Sequence, residues 1–203
     1  MHRTPPIALL LGLLCAGCRP DPGRPVYIDD AQVPPQRLKV GAFYSDPTTD
    51  SILIDDSTRR LDVFNGTLSA ITEDDRDLVD GQPSFALVHA GTGFWGMGID
   101  WDQATDLSRW KAMHVSFKSS SATFAEFQIG MASGGQTYSV QATAYGYKAD
   151  GAWHALAIPV ADFVMHGFDP AQTRAAFVIG GGAGKLGDAL KVAELFFDVP
   201  EGT

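Results

Sequence analysis

Aromatic side chains are the residues of this sequence that could most readily bind a ligand. Trp95 and Trp101 flank a glycine-containing segment, and Tyr145 and Tyr147 lie between two apolar runs. A saccharide presents apolar C–H faces beside its hydroxyl groups, so its site needs flat aromatic surfaces next to amides and carboxylates. These four residues are therefore candidates for a sugar-binding surface.

Each aromatic candidate also has a structural interpretation. Trp95 and Trp101 could equally belong to the core, and for Trp95 the core position is favoured. Tyr145 and Tyr147 follow Thr143 in a predicted turn, where exposed side chains are common. We expect both tyrosines to be exposed and to form the first part of the site.

Polar residues alternate along three predicted strands and could supply hydrogen bonds to the same ligand. They are Ser116 and Lys118, Glu126 and Gln128, and Ser139 and Gln141. If these strands are neighbours, their polar sides form one continuous face, and we expect Gln128 and Gln141 to contact the ligand. The alternative is that this row is the solvated side of a sheet.

Groups that could perform catalysis are few. Asp100 and Asp102 flank Trp101, and strand alternation would place both carboxylates on one face. A glycosidase needs two carboxyl groups on either side of a bond in a cleft, and no other feature of the sequence builds a cleft. We predict that the chain is not an enzyme, with a glycoside hydrolase as the lowest-ranked alternative.

The segment 180–187, GGGAGKLG, matches the G-x-G-x-x-G pattern of dinucleotide-binding loops. That pattern requires a long helix after the last glycine and a βαβ context, whereas the strand-like stretch LFFD follows here. We interpret the segment as a hairpin connection between two strands.

The elements that position these residues are predicted to be strands. Apolar and polar residues alternate cleanly over 138–143, and about ten short apolar runs are separated by polar turns, with no long helical pattern. The sequence therefore predicts an all-β fold, an antiparallel two-sheet β-sandwich of about ten strands.

A resemblance to a known family is carried by residues 138–163, YSVQATAYGYKADGAWHALAIPVADF. Its tyrosine-glycine turn, its D-G-x-W-H step and its I-P-x-x-D-F ending resemble the late strands of galactose-binding-like β-jelly-roll domains. These non-catalytic domains include many carbohydrate-binding modules. The resemblance covers about residues 50–199 and implies a jelly roll with a polysaccharide or other glycan as its ligand.

The same resemblance implies a structural calcium ion. Related jelly rolls hold Ca²⁺ between an early acidic loop and an aspartate on the last strand, positions that match Asp56, Asp80 and Asp198. Ca²⁺ takes six to eight oxygen ligands, which carboxylates and backbone carbonyls can supply. The alternative is that these acids are solvated turn residues.

The N-terminal residues resemble an export signal. Residues 1–18 combine a basic start, a short apolar run and a lipobox-like ending at Cys18, although Cys15 stands where leucine is usual. The prediction is a lipidated Cys18 and a bacterial outer-membrane lipoprotein, attached to the membrane through its lipid only. The alternative is an ordinary cleaved signal peptide. Residues 19–45 are predicted to be a proline-rich tether, and residues 46–203 to be the β-sandwich domain.

The charge balance disfavours a polyanionic partner. The 203 residues carry a formal net charge of −9, so nucleic acid is not expected to bind. The sequence therefore predicts a non-catalytic glycan-binding domain of an exported, lipid-anchored protein. An envelope-assembly or adhesion lipoprotein that binds another protein is the alternative.

Overall fold

The computed structural model describes residues 37–40, 51–52 and 59–199, all within the compact unit Pro34–Thr203. Cys18 and Asp56 lie outside the described residues, as do the predicted signal segment and most of the predicted tether. None of the helices in the described part of the chain has the length and apolar composition needed to cross a membrane.

Strands account for most of the described chain. They are β1 (Arg37–Val40), β2 (Ser51–Ile52), β3 (Arg59–Val63), β4 (Leu68–Val79), β5 (Gln82–His89), β6 (Trp95–Thr105), β7 (Ala112–Lys118), β8 (Phe127–Ser133), β9 (Gln136–Gln141), β10 (His154–Pro159), β11 (Thr173–Gly181) and β12 (Ala189–Asp198). The helical elements are short: α1 (Val160–Met165) and the 3₁₀ turns Phe64–Gly66, Ala122–Phe124, Ala142–Tyr145 and Pro170–Gln172.

The strands form two sheets. Sheet A has the order β10-β7-β12-β1-β2, with β5 also paired to β12 and β4 paired to β5. Sheet B has the order β3-β6-β11-β8-β9. Every pairing is antiparallel except that of β1 with β2. The predicted all-β, two-sheet sandwich is confirmed.

Strand alternation decides which side chains of sheet B enter the core. On β6, Trp95, Met97, Ile99 and Trp101 are at most 3% exposed, and the residues between them face outward. Burial of such large apolar side chains stabilises the fold by about 2–3 kcal/mol each. The outward positions of sheet B are thus left to residues that do not hold the sandwich together.

Strand β12 changes its partner along one edge. Its residues 189–192 pair with β5, whereas residues 196–198 pair with β1. Between them, Glu194 has a left-handed backbone (φ 54°), and the register with β7 shifts after Ala193. Such a bulge inserts an unpaired residue and bends the strand.

Two expectations about the chain's organisation need correction. Residues 37–40 lie inside the range predicted as tether, but they form β1 and pair with β12 in sheet A. The glycine segment 180–187 is not a hairpin connection, because both edges of β11 are occupied by β6 and β8, and β12 belongs to the other sheet. The segment instead crosses from one sheet to the other.

Candidate functional site

A groove of about 600 Å³ lies on the outer face of sheet B. We call it the sheet-B groove and define it by the lining residues Phe64, Gln128, Gly130, Ser139, Gln141 and Gly180. Its position follows from strand alternation, because these residues face away from the buried side chains of the same strands.

The strand register places the residues of the groove in two parallel rows, each of which crosses four strands. The first row is Gly96, Gly180, Gln128 and Gln141, and the second is Gly98, Val178, Gly130 and Ser139. Each row runs from a glycine on β6 to a polar side chain on β9. Neighbouring strands lie about 4.8 Å apart, so the rows extend about 14 Å.

The floor of the groove depends on missing side chains. A Cβ atom on Gly130 would lie 2.8 Å from Thr137 Cγ2 and 3.0 Å from the carbonyl oxygen of Tyr138. A Cβ atom on Gly180 would lie 3.0 Å from the carbonyl oxygen of Trp95. A side chain at either position would force its neighbours to move, so glycine fits both positions and leaves the floor open.

One aromatic ring covers the β6 end of the groove. Phe64 begins the 3₁₀ turn between β3 and β4, and the left-handed backbone of Asn65 (φ 49°) reverses the chain there. A Cβ atom on Gly96 would lie 2.7 Å from the Phe64 ring, and one on Gly98 would lie 3.3 Å from it. The half-buried ring therefore rests against the glycines, with part of its surface exposed at the groove.

Paired amides occupy the β9 end. Gln128 and Gln141 are register partners on β8 and β9, and both are exposed. The Ser139 hydroxyl donates a hydrogen bond to Gln128 Oε1 at 2.9 Å. The NH₂ group of the same Gln128 amide can donate further hydrogen bonds.

Comparison with known families identifies the domain. The family model described as carbohydrate binding domain 30 matches residues 43–189. The chain belongs to this family. Carbohydrate binding domain 30 is non-catalytic, in agreement with the prediction that the chain is not an enzyme.

Solved structures show the same fold. The family 30 carbohydrate-binding module of a cellulosomal cellulase of Clostridium thermocellum superposes with a TM-score of 0.58 at 17% identity, over 74% of this chain and 97% of that one. A second crystal structure of a family 30 carbohydrate binding module gives a TM-score of 0.55 at 17% identity, over 70% and 79%. A search of curated proteins gives no significant match.

Both tryptophan candidates in this family 30 domain lie in the core. Trp95 is 1% exposed and Trp101 is 3% exposed, which agrees with the core position favoured for Trp95. Trp95 packs against Phe124 and Phe127 at centroid distances of 5.0 and 5.7 Å. Rings buried to this degree present no face to a ligand.

The expectation that Tyr147 is exposed is wrong, since only 1% of the residue is accessible. The turn Ala142–Tyr145 and the left-handed Gly146 (φ 95°) direct the chain back, and the Tyr147 ring packs edge-on against Phe127 at 4.8 Å. Burial, with a contribution from the Asp150 charge, raises the pKa of Tyr147 to about 12.

Tyr145 is half-buried and its hydroxyl group is occupied. It donates a hydrogen bond to Asp162 Oδ2 on α1 at 2.5 Å. Burial and this carboxylate raise the pKa of Tyr145 to about 12. Tyr145 is not among the residues that line the sheet-B groove within the described chain, and it fastens the turn to the helix.

The predicted polar row is only partly continuous. Gln128 and Gln141 come together on neighbouring strands, with Glu126 at the edge of the groove. Ser116 and Lys118 lie on β7 in sheet A, so they belong to the opposite side of the sandwich. Sequence reasoning missed Phe64, whose only signal was its position just before the turn residues Asn65 and Gly66.

The acidic residues divide between different contacts. Asp80 lies beside Glu194, and burial together with the Asp80 charge raises the pKa of that glutamate. Asp198 Oδ2 is 2.9 Å from His114 Nε2. The described residues include no group of three or more histidine, cysteine or acidic residues suited to a metal ion. Since Asp56 lies outside the described residues, the calcium site stays a prediction.

The carboxylates considered for hydrolysis lie on β6. Asp100 pairs in register with Arg60, and Asp102 is two residues further along the same strand. As predicted, the buried Trp101 separates them, so both face the outer side of sheet B. Neither is among the described residues that line the sheet-B groove.

Proposed function

We propose that the domain binds a glycan in the sheet-B groove. Phe64 provides the aromatic surface for a sugar ring, and Gln128 and Gln141 hydrogen-bond to hydroxyl groups. The observation that carries the proposal is the pair of register rows, which combine a glycine floor with a ring at one end and amides at the other.

The shape of the groove supports an oligosaccharide that crosses the strands. A chain lying along the rows would contact Phe64 over β6 and reach Gln141 on β9, a distance of about 14 Å for three strand spacings. The floor suits flat rings, because Gly130 and Gly180 have no side chains that would hold a ring away from the strands.

The polar groups of the groove suit a neutral ligand. Its side chains are amides and hydroxyls apart from Glu126, whose carboxylate would repel an anionic sugar. A structural relative is the module of a cellulosomal cellulase, which makes cellohexaose a reasonable first probe. Xylohexaose and mannohexaose test whether the groove distinguishes among neutral chains.

Calorimetric titration of the protein with these three oligosaccharides tests the proposal. Phe64→Ala and Gln141→Ala should each weaken binding by about five- to tenfold, because each removes a contact worth about 1–1.5 kcal/mol. Matched controls are Phe94→Ala and Gln103→Ala, which remove exposed side chains of the same types outside the groove. Both controls should bind as the wild type does.

Two results would overturn the proposal. One is the absence of binding to all three chains by a folded wild-type protein. The other is unchanged affinity in both groove variants. The first result would favour the alternative in which the domain binds another protein, and the second would place the glycan outside the groove.

We further propose that the domain is exported and held at the outer membrane through a lipid on Cys18. The apolar run and the AGC step before Arg19 support this proposal. In bacterial cells fed an alkyne-labelled fatty acid, the protein should incorporate the label, and Cys18→Ser should lose it. Cys15→Ser, which keeps the lipidation position, should retain it. Equal labelling of both variants would contradict the proposal.

A further inference from the structure

A second depression, of about 570 Å³, lies at the opposite end of sheet B. We call it the rim pocket and define it by the lining residues Ser133, Gly135, Tyr138, Asp169, Gln172 and Arg174. We propose that the rim pocket is an independent carbohydrate site, which binds vicinal hydroxyl groups of a neutral sugar residue.

Strand direction separates the rim pocket from the sheet-B groove. Strand β11 contributes Gly180 to the groove and Arg174 to the rim pocket. At about 3.3 Å per residue, these two positions lie about 20 Å apart along the strand. One sugar residue cannot reach both, so the two depressions can be occupied separately.

The rim pocket offers both donors and acceptors. Within the described chain, the exposed Arg174 guanidinium makes no ion pair or hydrogen bond, and Gln172 is also exposed. Asp169 Oδ1 accepts a hydrogen bond from the backbone N–H of Ala171 at 3.0 Å, which leaves Oδ2 for a ligand. A guanidinium beside a carboxylate matches a diol, which donates and accepts at once.

The charges also indicate which sugars fit. Arg174 alone would attract a uronate or a phosphate, but the Asp169 carboxylate in the same pocket repels either anion. A neutral hydroxyl pair meets no such repulsion. Neutral sugars are therefore the class that satisfies all the charged groups of the pocket.

Hydrogen bonding and ring packing hold the walls of the rim pocket. Ser133 Oγ accepts a hydrogen bond from the backbone N–H of Asp169 at 2.9 Å, which fixes the loop to β8. Gly167 (φ 106°) lies against Tyr138, since a Cβ atom there would be 3.0 Å from Tyr138 Cε1. The Tyr138 ring also packs against Phe168 at 6.2 Å. The aromatic wall is therefore held in place before any ligand binds.

Nitrogen-15 NMR titration of the protein tests this site. The probes are the methyl glycosides of glucose, galactose, mannose and xylose, added to about 50 mM so that a Kd of a few millimolar, about −4 kcal/mol or weaker, is detected. With at least one glycoside, we expect saturable shifts of the Gly134, Gly135 and Gly167 amide signals. The double variant Arg174→Ala/Gln172→Ala should weaken this response at least tenfold.

The matched control is Gln128→Ala/Gln141→Ala, which should leave the rim response unchanged while it impairs oligosaccharide binding in the groove. The proposal is overturned if no glycoside shifts these amides. It is also overturned if the rim variant, with its other amide signals unchanged, responds as the wild type does. Since the two double variants act at opposite ends of sheet B, failure at the rim pocket is distinguishable from failure at the groove.

Discussion

The outer faces of the two sheets differ in how their polar side chains are paired. On sheet A, charged side chains from three strands bind one another. On sheet B, the groove has glycines at its floor and amides that face outward. Both faces arise from the same strand alternation. The comparison shows that a polar strand face indicates a site only where its polar groups are not already satisfied.

Asp77 is the centre of the sheet A cluster. Its carboxylate accepts hydrogen bonds from Lys118 at 2.8 Å, from Lys191 at 2.5 Å and from Trp153 Nε1 at 2.9 Å. Lys118 and Lys191 are register partners, so their like charges would repel each other without this carboxylate. The cluster therefore stabilises the sheet and leaves little for a ligand.

Filling the groove floor should have the largest effect. In Gly130→Val, the added side chain overlaps Thr137 and the Tyr138 carbonyl. We expect oligosaccharide affinity to fall by more than about 100-fold, with a loss of about 1–3 kcal/mol in the free energy of unfolding. Calorimetry and urea denaturation measure the two effects.

Ala132→Val is the matched control for this variant. It adds a valine to the same face of β8, outside the residues that line the groove. Wild-type affinity in folded Gly130→Val would show that the groove is not where the oligosaccharide binds.

Asp77→Ala should lower the stability of the fold and leave glycan binding intact. It leaves two lysines and an indole N–H without their shared acceptor, so we expect the free energy of unfolding to fall by about 1–3 kcal/mol. Glycan affinity should not change. Asp75→Ala, at an exposed neighbouring position, should alter stability by less than about 0.5 kcal/mol. Loss of glycan binding in Asp77→Ala would contradict the separation of the two faces.

Acid should remove the contribution of the sheet A cluster. Partial burial raises the pKa of Asp77, but hydrogen bonds from Lys118, Lys191 and Trp153 outweigh burial and hold its pKa well below the usual range. A carboxyl group with a lowered pKa in the folded state stabilises the fold above its unfolded pKa of about 3.9, and this stabilisation is lost as pH falls further.

The stability difference between wild type and Asp77→Ala should therefore shrink between about pH 5 and about pH 2. Urea denaturation across this range measures it. A difference that stays constant would mean that the carboxylate charge does not contribute.

Gly98→Ala should have the smallest effect. Its Cβ atom would lie 3.3 Å from Phe64 Cζ, so the ring must move by a few tenths of an ångström. We expect oligosaccharide affinity to fall by about two- to fivefold, which corresponds to less than about 1 kcal/mol. Gly93→Ala is the control, because a Cβ atom there has no heavy atom within 4 Å. A larger loss in the control than in Gly98→Ala would exclude a role for the position of the ring.

Period-two patterns predicted the strands and the polar sides that carry Gln128 and Gln141, because alternation is a local property. The same patterns could not say which sheet each strand joins, so Ser116 and Lys118 were grouped with residues of the other sheet. Sheet membership depends on long-range pairing, such as that of β7 with β12.

The aromatic residues were predicted least well. Tyr147 follows a turn, but the left-handed Gly146 directs it into the core, and this backbone angle is not evident from residue types alone. Phe64 is 32 residues before Gly96 in the sequence, and only the pairing of β3 with β6 brings its ring over the groove. Gly180 was interpreted as part of a connection, because its place in the groove floor depends on neighbours in other strands.

Because β12 changes its partner along one edge, its two halves should differ in amide hydrogen exchange. When β1 separates from the sheet, only residues 196–198 lose a neighbour on that edge, whereas residues 189–192 remain covered by β5. We therefore expect local opening at β1 to end at Glu194 and not to spread along the whole of β12. In deuterium uptake, the two halves of β12 should behave as separate units, with the half next to β5 protected for longer.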